Sequence, residues 1–66
     1  MEILLNDVPC QTSQGTSVAE LLEANELSGR PVAVEVNEQL VPKAHHAEHQ
    51  LKSGDRVEIV TLVGGG

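Results

Sequence analysis

Val32-Ala33-Val34-Glu35-Val36 is the stretch on which the fold turns. Its three valines alternate with Ala33 and Glu35, the period-two pattern of a β-strand buried on one face. Moving outward, Asn37-Glu38 supplies a turn into a short return strand, Gln39 to Val41, which Pro42 terminates because it has no backbone N–H to donate. On the other side, Gly29 and Pro31 are expected to close a helix. That helix begins after Ser17, which stands three residues before Glu20 in the spacing of a capping box. Val18, Leu21 and Leu22 then share one buried stripe, and Glu20, Glu23 and Glu26 lie off it as a solvated face.

The outermost segments complete the pattern. Glu2 to Asn6 reads as a strand with Ile3 and Leu5 on one face and Leu4 on the other. Asn6-Asp7 suits a tight turn into Val8 to Thr12, and Pro9 confines that second strand to a sheet edge. Lys43 to Gln50 reads as a loop with a helical turn, and Lys52-Ser53-Gly54-Asp55 as a turn into a last strand, Arg56 to Val63. In that strand Val57, Ile59, Thr61 and Val63 point one way, and Glu58, Val60 and Leu62 the other. Strand, strand, helix, strand, short strand, strand is the order of an α+β, β-grasp (ubiquitin-like) fold. The expected form is a mixed sheet of four to five strands with one helix packed on one face. Residues 1–63 form the domain and residues 64–66 a flexible glycine tail.

Composition limits what such a domain does. The chain has 66 residues, ten acidic against four basic, and a formal charge of -6. One small core leaves no room for a separate cofactor domain. No nucleophile stands near a base, and the terminal glycines lack the Lys-Ser/Thr and following helix of a phosphate loop. The expectation is a protein cosubstrate, not an enzyme, with no cofactor of its own. Acidity and the absence of Phe, Tyr and Trp argue against nucleic acid and favour a basic partner surface. No apolar run exceeds three residues and no positive leader precedes one, so no membrane association and a cytoplasmic location are expected.

The lone Cys10 allows no internal disulfide and reads as a small hydrophobe. His45 and His49 stand four apart with His46 and Glu48 nearby, but without a neighbouring cysteine they read as exposed histidines and not as a metal site.

Gly64-Gly65-Gly66 follows the last strand. A glycine arm spans about 10 Å and threads a channel too narrow for any side chain. A terminal α-carboxylate is ionised at neutral pH and attacks the α-phosphate of ATP, which turns an unreactive carboxylate into an acyl acceptor.

The chain resembles, over essentially its whole length, the ThiS family of thiamine-biosynthesis sulfur carriers. The match is carried by Met1 to Asn6, Gly15 to Leu22, Val32 to Asn37 with Val41-Pro42, Gly54 to Val60, and Val63-Gly64-Gly65-Gly66. The resemblance implies that an E1-like, ThiF-type enzyme adenylates Gly66. Sulfur from a cysteine desulfurase or another donor then gives a thiocarboxylate, and a ThiG-type thiazole synthase takes the sulfur. Gly65 would complete the diglycine that both enzymes admit, and Gly64 would extend the arm. Leu4, Val60 and Leu62 are the expected docking patch, on the sheet face away from the helix. The small subunit of molybdopterin synthase, a ubiquitin-like modifier joined through Gly66, and a TGS-type interaction module are the competing readings.

Overall fold

The computed structural model describes residues 1–62. Five strands form one sheet: β1 (Glu2–Leu5), β2 (Val8–Gln11), β3 (Val32–Val36), β4 (Gln39–Leu40) and β5 (Arg56–Thr61). Their order is β2-β1-β5-β3-β4, so the last strand lies at the centre. β5 runs parallel to β1, with Leu5 beside Val57, and antiparallel to β3, with Val34 beside Ile59. The outer pairs, β1 with β2 and β3 with β4, are antiparallel hairpins. This is the expected β-grasp.

Both hairpins use the same chemistry. Asn6 and Asp7 have φ of 50° and 67°, and Asn37 and Glu38 have φ of 52° and 68°. Two successive positive φ values make a type I′ turn, whose twist matches that of the flanking strands. Pro9 lies on edge strand β2, where a missing donor costs nothing. β4 ends at Leu40, one residue short of the expected return strand. Val41 still donates its N–H to Val34 O at 2.8 Å and is buried.

Helix α1 (Val18–Ala24) starts as its sequence dictates. Glu20 N–H donates to Ser17 Oγ at 3.0 Å, and Ser17 N–H donates to Glu20 Oε1 at 2.9 Å. Its end differs from expectation. The helix stops at Ala24 with Asn25 as its cap, well before Gly29. Glu26, at φ 60°, takes the left-handed conformation usually left to glycine. Leu27 N–H then reaches Leu22 O at 2.8 Å and Glu26 N–H reaches Glu23 O at 3.0 Å, closing a Schellman motif. Glu26 therefore lies beyond the helix instead of extending its acidic face.

The core lies between α1 and one face of the sheet. Val18, Leu21 and Leu22 of the helix meet Ile3, Val34, Val36, Val57 and Ile59 of the sheet, with Val41 and Leu51 closing the sides. Each buried aliphatic side chain contributes about 1.5 to 3 kcal/mol, offset by chain entropy of similar total size. A 3-10 turn at Lys43–His45 leads the chain across the entry of α1. There Val18 N–H donates to His49 O and Ala19 N–H to His46 O, both at 2.9 Å. Two of the free donors that every helix start leaves are thus satisfied by loop carbonyls.

Candidate functional site

β5 determines where the chain leaves the domain. Beyond Thr61, Leu62 N–H still donates to Pro31 O at 2.8 Å, so the sheet holds the backbone one residue past the strand. Val63, Gly64, Gly65 and Gly66, including the expected carrier residue and its arm, lie outside the described residues. The surface around Leu62, the last described residue, is the part of the site that the structure shows.

Cross-strand register places two of the expected docking residues, Leu4 and Val60, on the outer face of the sheet. Val60 sits opposite Ala33, and Glu58 opposite Glu35. Val60 is 58% exposed and Leu62 51% exposed, so two aliphatic side chains stand open where β5 ends. Leu4 is elsewhere on this face. It pairs with Arg56 at the opposite end of β5 and is half-buried. Four residues separate Arg56 from Val60, about 13 Å at strand rise, with Glu58 on the same face between them. Val60 and Leu62 are both exposed near the end of β5, but Leu62 borders the side that α1 lines, which corrects the expectation of one patch facing away from the helix, and Leu4 lies apart from both.

Leu62 also borders a second feature, which the sequence did not announce. A groove of about 530 Å³ opens between α1, the 27–32 segment and the loop after β4. Leu22, Leu27, Val32 and Leu62 contribute apolar surface to it, and Arg30 and Lys43 are the two cations among its lining residues. No Asp or Glu lines it among the described residues, although acids outnumber bases ten to four in the chain. Arg30 and Lys43 are thirteen residues apart, and no local motif links them.

The three histidines separate. His45 is exposed and His49 half-buried, but His46 is 8% exposed, which corrects the expectation of a wholly solvated set. Its ring Nε2 lies 2.9 Å from Val41 O, so a buried imidazole ties the loop to the end of the β3–β4 hairpin. His45 and His49 border a separate shallow pocket with Val36 and Leu40. Among the described residues no group of three or more His, Cys, Asp or Glu is placed to hold a metal ion. Cys10 is half-buried on β2 opposite Ile3 and packs against the core, as a small hydrophobe does. No helix among the described residues is long and apolar enough to cross a membrane.

Comparison with known proteins gives one consistent result. The ThiS family profile matches residues 3–66. The sulfur carrier protein ThiS of Escherichia coli (strain K12) is 35% identical over 66 residues, which cover all of both chains. A thiazole synthase of Paramagnetospirillum magneticum is 36% identical over 66 residues, all of this chain but 20% of that protein. The crystal structure of thiamine biosynthesis protein ThiS from Geobacter metallireducens superposes with a TM-score of 0.85 at 29% identity, covering both chains completely.

Proposed function

The chain belongs to the ThiS family, and on that premise we propose that Gly66 is the residue on which it carries sulfur. The protein is a sulfur carrier of thiamine biosynthesis, a cosubstrate and not a catalyst. The observation that carries the assignment to Gly66 is the extent of the match. Its alignment with the Escherichia coli carrier runs through residue 66 here and through the last residue there. Glycine at positions 64, 65 and 66 leaves that end without a side chain to block a narrow catalytic channel.

The chemistry has two steps. A carboxylate oxygen of Gly66 attacks the α-phosphate of ATP, and pyrophosphate leaves. Hydrosulfide then attacks the acyl carbon, AMP leaves with the bonding electron pair, and a thiocarboxylate remains. Where the donor is a desulfurase persulfide, the acyl disulfide formed on loss of AMP is cleaved by a thiol, which ends as a disulfide with the donor cysteine. Residues 1–63 present the arm, residues 64–66. An E1-like, ThiF-type enzyme performs the first step, and a cysteine desulfurase or another donor supplies the sulfur. Val60 and Leu62 form the aliphatic contact for the adenylating enzyme beside the departing arm, with Leu4 a distant part of Val60's face. Thiazole synthase receives the sulfur, a reading supported by the relative in which a stretch like this chain makes up one fifth of a thiazole synthase. Dependence on ATP supports a cytoplasmic location for the cycle.

Intact mass spectrometry tests the assignment. Incubation with the adenylating enzyme, ATP and a sulfur donor replaces one oxygen by sulfur at the terminus, and deleting Gly66 abolishes the change. Sulfur found on Cys10 instead would refute it, as would an unchanged mass for the wild-type chain.

A further inference from the structure

We propose that the groove between α1 and the Arg30 and Lys43 segments is the docking site for thiazole synthase, which fills it with an apolar side chain flanked by carboxylates. The inference rests on the sulfur-carrier reading and adds a surface and a chemistry that the reading does not contain.

Three observations carry it. The first is position. Leu62, the last described residue, borders the groove, and its N–H is fixed to Pro31 O on the same rim. The groove is thus next to the point from which the chain runs on toward Gly66. The second is shape and polarity. About 530 Å³ of concave space floored by Leu22, Leu27 and Val32 accepts an apolar side chain and removes it from water.

The third is charge. The chain has four Lys and Arg in all, and two of them line this one groove. Arg56 is paired with Asp7 at 3.1 Å, whereas Arg30 and Lys43 enter no ion pair among the described residues. A partner with carboxylates at the groove rim gains attraction to both cations. One with lysines there would find no acid in the groove. The chain as a whole is acidic, whereas the groove lining carries two cations and no acid among the described residues, which favours an acidic partner there. Fusion of a similar stretch to a thiazole synthase names that enzyme as the protein beside which such a domain works.

The test measures binding of the full-length protein to purified thiazole synthase. Arg30→Glu and Lys43→Glu, each at an exposed position, should weaken binding about tenfold and flatten its salt dependence. Lys52→Glu makes the same charge change outside the groove and should alter affinity by less than about twofold. Ala47→Trp fills the groove without changing charge and should also weaken binding about tenfold. Circular dichroism verifies that each variant is folded. Equal effects of Lys52→Glu and the two groove reversals would overturn the docking site, as would unchanged binding by Ala47→Trp. Loading of sulfur onto Gly66 is read separately, by mass and without thiazole synthase. Its failure in the wild-type chain would overturn the carrier reading instead.

Discussion

The side chain of Asn6 brackets the backbone of Ile59. Its Oδ1 accepts the Ile59 N–H at 2.8 Å and its Nδ2 donates to the Ile59 carbonyl at 3.3 Å. β1 turns away at this point, so the amide takes the place of one more residue of parallel ladder beside the central strand. Asn37 makes half of this bracket in the other hairpin: its Oδ1 accepts the Arg56 N–H at 3.0 Å, while its Nδ2 donates to Asp55 Oδ1 at 3.0 Å. Asparagine serves twice, because it tolerates a positive φ and carries a peptide-like group.

Replacing Asn6 separates those two roles. Asn6→Gly keeps the turn and loses the bracket, and should cost about 1 to 2 kcal/mol. Asn6→Ala loses both, and should cost about 1 kcal/mol more. Urea unfolding of the two variants measures the difference; equal losses would contradict it.

Glu26→Gly should raise stability by about 0.5 to 1 kcal/mol. The left-handed conformation at Glu26 is strained for a residue with a β-carbon, and the gain is reduced by the greater freedom of glycine in the unfolded chain. Thermal unfolding should show a rise of a few degrees.

Thr12 Oγ1 is buried without a hydrogen-bond partner among the described residues. Thr12→Val keeps the shape and removes the unsatisfied hydroxyl, which should add about 1 kcal/mol. A lower melting temperature would show that the hydroxyl is satisfied in solution.

Val60→Asp should leave the melting temperature within a few degrees of wild type, because Val60 is 58% exposed. In ATP–pyrophosphate exchange catalysed by the adenylating enzyme, the KM for the protein should rise about tenfold, as loss of an apolar contact and gain of a charge at the contact would dictate. An unchanged KM removes Val60 from that contact.

Much of this molecule was legible because its signals are local. The alternating valines of β3, the Ser17 and Glu20 capping pair, and the two Asn-led turns each encode their geometry within a few residues. The helix end was misplaced because Gly29 is the nearest glycine, whereas the chain turns at Glu26, held by hydrogen bonds to Leu22 and Glu23. The burial of His46 depends on the loop crossing the start of α1, a path with no period to detect. Leu4 was grouped with Val60 because the sequence assigns faces by alternation. Only the parallel register, Leu4 beside Arg56, shows that the two lie at different levels. The Arg30 and Lys43 groove was hidden for the same reason, since tertiary packing alone brings its two sides together.

A sheet whose middle strand is also its final one imposes an order of events on biosynthesis. Until Arg56 to Thr61 has emerged from the ribosome, the two hairpins share no common ladder, and the aliphatic face has nothing to bridge it. Prematurely ended translation products therefore stay open and are exposed to proteolysis. Tying compaction to the last strand keeps useless decoys from occupying the machinery.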